Sequence, residues 1–389
     1  MSVRIGTGLS TEHDPFEAGT AAARAAAAGL GDETPDLALV FASGTHLVAP
    51  EAALEGVHAA LAPRTLVGCG AGGVLGRGRE LEGGTALAVW AAALGGGEAA
   101  PFHATLVGED PDYAIAGMPS LDGSSGVLLL SDPYSFPTEV ALEMVAQEAP
   151  AVPVLGGLAS ARGAMDDGAL FLDDQVYDQG AVGVALRSVE MLPCVSQGAA
   201  PLGREVTITA AEGNVIHELA GRPALQTVQT IISELSARER GLVAGGLLIG
   251  VVIDGGKPDY EQGDFLVRGV LGADSDTGAL VVGTQVAAGQ VVRLHARDAR
   301  SADDDLRQAL KLRVAALAGE PPAGALIFSC NGRGAAMFGI ADHDAEAIQR
   351  ELGGAPSAGF FAAGEIGPVG GRSFLHGFTA TLAVFPRGS

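Results

Sequence analysis

The sequence predicts an α/β fold of two tandem related domains, built from repeated strand–turn–helix–strand–strand units whose mixed β-sheets are covered by helices. Three observations carry this. Four segments open alike, with a continuous apolar run stopped by Gly, Asp, Asn or Ser: LALVFASG from Leu37, GVLLLSDP from Gly126, LLIGVVID from Leu247 and ALIFSCNG from Ala325. Such runs suit strands buried on both faces. A stretch with helical patterning follows the first, second and fourth of them, and then come a glycine-rich apolar run and a closing apolar strand. Self-similarity of this kind marks repeated supersecondary units.

In the first unit the helix is PEAALEGVHAAL, the glycine strand is LVGCGAGGVLG (Leu66–Gly76) and the closing strand is TALAVWAA. The stretch VLGRGRELEGG reads as a charged loop. In the second, SDPYSFPTEVALEMVAQEA starts with helix-initiating residues, and VPVLGGLASARG and AVGVALR complete the unit. The third is looser, with FLVRGVLGAD, ALVVG and QVVRLHARD as strands and no helix between the first two. The fourth continues with DHDAEAIQREL, SAGFFAAGEIGP (Ser357–Pro368) and TATLAVF. Between the halves, Val206–Ala210 and Val215–Leu219 form a hairpin about Gly213–Asn214, and Pro223 opens a helix. The boundary falls near Arg222, giving domains 1–222, with a core from about residue 36, and 223–389. A helix over Ser301–Ala318 is capped by Ser301, with acids in its first turn.

The chain is 48% hydrophobic and 18% charged, which describes a packed globular protein. Its formal charge of −23 repels phosphate backbones and anionic lipid, so neither nucleic acid nor a membrane is an expected partner. Cys69, Cys194 and Cys330 have no CxxC spacing, which argues against a disulfide framework. The N-terminus lacks an apolar signal core, and the longest apolar run, Gly241–Ile253, is too short to span a bilayer. A cytoplasmic location is the expectation.

The richest candidate cluster is IFSCNGRG. Ser329, Cys330, Asn331 and Arg333 sit on a glycine-flanked turn at the end of a buried strand. The turn and the glycine strand of one unit should lie side by side, so Glu365 is expected to face Arg333. A thiol near Arg and backbone N–H groups can act as nucleophile or ligand contact; the same pattern also suits a buried structural Cys with an Arg–Glu pair pinning two loops. Gly68, Gly70 and Gly73 satisfy GxGxxG, but no helix follows to receive a pyrophosphate. DSDTG (Asp274–Gly278) begins like a calcium loop yet has Gln285 where the bidentate Glu belongs, so it reads as a hairpin turn. MDDGALFLDD (Met165–Asp174) reads as a solvated edge. His295 and Arg297 share a strand face, and no HxH or HExxH occurs, which argues against a metal enzyme.

ALIFSCNGRG followed by a helix and GFFAAGEIGP resembles the C-terminal domain of the FIST proteins, as does DYEQGDFLVRGVLGAD with GQVVRLHARDARSADDDL. LVGCGAGGVLG, VLGGLASA and PLGREVTITAAEGNVIHELAGRPAL resemble the FIST N-terminal domain. The resemblance runs from Asp36 to Val384. It implies an intracellular sensory module that binds a small ligand and acts in signal transduction, here stand-alone and passing its signal to a separate partner protein. Carried over by motif, Ser329, Cys330, Asn331, Arg333, Gly364 and Glu365 are the C-domain's characteristic residues. Some members are haem-based sensors with a histidine ligand in the N-terminal domain. No histidine lies between His103 and His217 here, so no cofactor, haem included, is expected. The expected pocket lies between the two halves, lined by the turns at Ser43 and Cys330 and the strands at Cys69 and Glu365, with Arg333 meeting an anionic group such as an amino-acid carboxylate. A thiol-dependent enzyme using Cys330 and a ligand-free scaffold are the alternatives, and the oligomeric state is left open.

Overall fold

The computed structural model describes residues 2–388 apart from 110, 111, 162, 164–167, 258, 261 and 262. Asp166 and Asp167 of the acidic MDDGALFLDD stretch therefore lie outside the described residues. The chain divides into two compact units. One holds the chain up to Val195, Arg307–Leu375 and the stretch from Ala380; the other holds Ser196–Leu306 and His376–Thr379.

The first unit is built from three of the repeats. Each has an opening strand (Leu37–Ser43, Gly126–Ser131, Gly324–Cys330), a helix (Pro50–Leu61, Thr138–Glu148, His343–Glu351) and a glycine strand parallel to the first (Leu66–Gly70, Val154–Leu158, Ser357–Ala362). A closing strand (Ala86–Ala93, Ala181–Arg187, Thr379–Phe385) pairs antiparallel with the opening one. The crossover helix makes the parallel pairing possible, since a tight turn cannot return a strand in the same direction.

Between glycine strand and closing strand each repeat carries a hairpin, and none of the three hairpins stays in its own sheet. Val74–Gly76 of the Leu37 repeat pairs with Ser357–Ala362. Glu365–Val369 of the Ala325 repeat pairs with Val154–Leu158. Leu170–Leu172 of the Gly126 repeat pairs with Leu66–Gly70. The exchange closes in a ring, so each repeat completes the sheet of the next and gains a strand from the third. The stretch expected to be a charged loop, VLGRGRELEGG, is the donated hairpin Val74–Gly76 and Arg79–Leu81. Its partner strand lies far along the chain, where local patterning cannot see it.

The inner faces of the three sheets share one core, which includes Phe41, Trp90, Phe328, Phe360 and Phe385. Phe41 stacks on Phe360 at 4.8 Å between ring centroids and Trp90 lies 5.1 Å from Phe385. Each such buried ring contributes roughly 2–3 kcal/mol of apolar transfer. A second layer packs the Ala-rich helix Pro15–Leu30 and the helix Pro50–Leu61 on the outer face of the first sheet.

Equivalent glycines mark the middle of each parallel pair. A Cβ on Gly68, Gly156 or Gly359 would lie 2.0, 1.8 and 1.8 Å from the carbonyl oxygens of Val40, Leu129 and Ile327. That contact is backbone against backbone and cannot be relieved by a rotamer change. Gly359→Ala is expected to lose about 3 kcal/mol or more of unfolding free energy in urea titration. Gly83→Ala, at a position with nothing within 4 Å of the new Cβ, should stay within about 0.5 kcal/mol.

The second unit contains the looser Leu247 segment and no parallel pair among its described residues. Its strands run Ala199–Glu212, Val291–Arg297, Leu247–Val252, Phe265–Ala273, Leu280–Val282 and Val215–Leu219, and the first pairs with the last, which closes the sheet on itself. The helix Ala224–Glu234 buries Ala224, Val228 and Ile231 in the resulting core. DSDTG is a turn held by Asp274, whose carboxylate accepts the Asp276 N–H at 2.8 Å and the Thr277 hydroxyl at 2.8 Å. The helix expected from Ser301 starts at Ala299. Its capping group is Asp298, which accepts the Ser301 hydroxyl at 3.1 Å and the Arg300 N–H at 3.3 Å. His295 is fully buried on Phe265, and burial pulls its imidazole down to about 4.

Candidate functional site

The C-terminal ends of parallel strands are where open α/β sheets present loops to ligands. In the first unit three such sets of ends meet. Ser160, after the glycine strand of the Gly126 repeat, donates its N–H to Gly70 O (3.3 Å), accepts the Gly72 N–H (2.9 Å) and donates its hydroxyl to Phe361 O. Phe361 N–H bonds Gly73 O at 3.0 Å, and Leu158 N–H bonds Gly364 O at 2.8 Å. One serine thus ties all three repeats together. Around it Gly72, Asn331 and Ala363 are exposed, and the Asn331 amide oxygen lies 3.9 Å from where a Gly72 Cβ would stand.

Ser43, Cys69, Ser329, Cys330, Asn331, Arg333, Gly364 and Glu365 all belong to this one compact unit, which combines segments from both halves of the sequence. The three opening strands end in different ways. The Ser43 hydroxyl donates to Gly84 O (3.0 Å) and Ala86 O (3.3 Å), holding its own closing strand. At the equivalent place the Asp132 carboxylate accepts the Ser135 hydroxyl at 2.6 Å and N–H at 2.9 Å. Cys330 is followed by a tight turn in which its carbonyl accepts the Arg333 N–H (2.9 Å) and its sulfur accepts the Gly332 N–H (3.3 Å). Cys69 is fully buried and burial pushes its thiol up, so it is a packing residue of the strand centre.

The cluster centres on Arg333, 2% exposed. Its Nε and Nη2 hold Asp344 at 2.6 and 3.0 Å in a bidentate pair. Asp344 also accepts from the Ser329 hydroxyl (3.4 Å) and faces His343 Nδ1 (3.0 Å). Burial alone would lower the Arg333 pKa, but Asp344 foremost, with Cys330 and Glu365, reverses this and raises it. Burial likewise works against ionised Asp344, and Arg333 holds its carboxyl well below the usual range. The direct partner of Arg333 is thus Asp344, in the first turn of the following helix, while Glu365 acts on it through its charge.

The donated hairpin adds acids from another repeat. Glu80 is 7% exposed and accepts the Ala345 N–H at 2.9 Å through Oε1. Burial raises its carboxyl to about 7; the Ala345 N–H opposes this, and Asp344 and Glu82 add to it. Glu82 accepts the Ala335 N–H at 2.7 Å. Among the described residues, Nη1 of Arg333 and Oε2 of Glu80 are buried here with no hydrogen-bond partner. A guanidinium and a carboxyl that both interact with Asp344 thus each keep one atom without a hydrogen bond.

Asp132, Ser160, Asp344, Glu80 and Glu82 did not stand out in the sequence. Aligning the Gly126 repeat on the other two would have marked Asp132 and Ser160 by position; nothing local marks Glu80. Among the described residues no group of three His, Cys, Asp or Glu side chains is placed to hold a metal ion, and no helix is long and apolar enough to cross a membrane.

Comparison with known proteins places this arrangement. The uncharacterized protein Rv0628c of Mycobacterium tuberculosis is 44% identical over 385 residues, covering 98% of this chain and 100% of that protein. The uncharacterized protein Mb0898c of Mycobacterium bovis is 42% identical over 385 residues, covering 98% of this chain and 99% of that protein. The family profile of the FIST N domain matches residues 36–222 and that of the FIST C domain matches residues 224–368. The chain belongs to the FIST family, whose domains are associated with sensory signal transduction.

Proposed function

We propose that the protein is an intracellular sensor that binds a small zwitterionic metabolite such as an amino acid at the Cys330–Arg333 turn and passes the signal to a separate partner protein. The observation that carries this is the pair of uncommitted buried atoms, Arg333 Nη1 and Glu80 Oε2. Buried polar groups are almost always hydrogen-bonded, so an unsatisfied donor and an unsatisfied carboxyl in one cluster invite a ligand that answers both. A carboxylate suits the planar guanidinium, and an ammonium suits Glu80. A purely anionic ligand would meet the charges of Asp344 and Glu365, whereas a zwitterion adds no net charge. Asn331, exposed at the rim, supplies a donor and an acceptor for a side chain.

The test is isothermal titration with each of the twenty amino acids, together with native mass spectrometry of protein purified gently from its own host. At least one amino acid should bind, and Glu80→Gln should weaken it by about tenfold or more, the loss expected for a charged hydrogen bond. Absence of binding by all twenty, or an unchanged affinity in Glu80→Gln, would remove the reading.

A further inference from the structure

The Ala325 repeat differs from the other two in how it reaches its helix. Residues 44–49 and 132–137 suffice in the Leu37 and Gly126 repeats, whereas residues 331–342 intervene here. The added chain forms a four-residue helix, Ala335–Phe338, none of whose residues is buried. It is bounded by Gly334 (φ 109°) and Gly339 (φ 74°), backbone conformations that glycine adopts without strain. Ile340 beyond it is 58% exposed.

Few contacts hold this segment down. Ala335 N–H bonds Glu82 (2.7 Å), and the Phe338 ring stacks on His343 at 3.6 Å and 8°. The same ring covers Arg333, 5.2 Å from its Cζ. Asp342 closes the segment firmly, accepting the Glu80 N–H at 2.6 Å. Arg333 beneath is 2% exposed, and Cys330, which opens the same turn, is 9% exposed. A marginally packed flap between two glycines, lying on a buried charged cluster, has the build of a locally unfolding element.

We infer that residues 334–339 are a lid over the Arg333 end of the Cys330–Arg333 turn, hinged at Gly334 and Gly339 and latched by the Phe338–His343 stack and by Glu82. Opening it uncovers Arg333 and loosens the turn whose Gly332 N–H bonds the Cys330 sulfur, without disturbing the three-repeat core. Its use in admitting a ligand rests on the function proposed above, but its motion does not, and it is tested without ligand. The full-length protein is treated with iodoacetamide and the alkylation rate of each cysteine is read by peptide mass spectrometry. Cys69 and Cys194, 0% and 3% exposed, serve as internal references.

Phe338→Ala should alkylate Cys330 about tenfold faster than the unaltered protein, as expected when a local opening becomes easier, with Cys69 and Cys194 unchanged. Glu82→Ala, which removes the other latch, should act in the same direction. An unchanged Cys330 rate in both variants overturns the lid. So does a parallel rise at all three cysteines, which reports global unfolding. If the lid opens and no amino acid binds, the lid stands and the ligand assignment falls; if an amino acid binds and the Cys330 rate does not move, the reverse holds.

Discussion

Arg333→Ala is expected to destabilise the protein by about 3–5 kcal/mol, read as a shift in urea unfolding at neutral pH. Removing one member of a buried ion pair leaves the other charge uncompensated. Here the removal strands more than one acid, because Asp344 and Glu365 are 1% and 0% exposed and both act on the guanidinium. The side chain also carries the bidentate contact that fixes the turn to the first turn of helix His343–Glu351. The loss should come from stranded charge and not from lost volume, which a second variant tests. Arg333→Met combined with Asp344→Leu removes both partners and keeps apolar bulk, so it should recover a large part of the single-variant loss. A single variant within about 1 kcal/mol of the unaltered protein would mean that the pair is neither desolvated nor structural.

The repeat architecture was legible because each unit encodes it locally. Apolar runs ending at Ser43, Ser131 and Cys330 are too continuous for an exposed strand, and the helices after them force the next strand to run parallel. The hairpin exchange was not legible. Whether Val74–Gly76 pairs within its own sheet or with Ser357–Ala362 is decided by contacts between distant segments, and both options use the same alternation of residues. That blindness explains the site. The turn Cys330–Arg333 and Glu365 were readable as one cluster because they share a repeat. Glu80 and Glu82 were not, since they arrive on a hairpin from another repeat, in a stretch whose charges read as solvated. Asp344 was hidden differently: residues 331–342 stand where the shorter connections 44–49 and 132–137 serve the other two repeats, so nothing in the repeat pattern says that the chain folds back to place this acid on Arg333.

Glu80 makes the remaining expectation a matter of pH. Its carboxyl titrates near 4.5 in the unfolded chain and at about 7 in the folded protein, raised first by burial and then by Asp344 and Glu82. A group whose folded value lies above its unfolded value binds its proton more tightly in the folded state. It favours folding fully below pH 4.5, and that contribution is lost as pH rises through 7. The shift corresponds to about 3 kcal/mol. Urea titrations from pH 4.5 to 8 should therefore show stability falling across this window, whereas Glu80→Gln, which cannot ionise, should remove most of the slope. Asp344 moves in the opposite sense: its lowered value protects the fold until pH drops below the ordinary carboxylate range, outside the window where Glu80 acts. The difference between the two proteins isolates Glu80, and equal slopes would mean that its carboxyl is solvated or neutralised by a cation from solution. Because Glu80 Oε2 is also the proposed ammonium contact, a bound cation should flatten the slope of the unaltered protein toward that of the variant. Stability measured against pH thus reports ligand occupancy as well as burial.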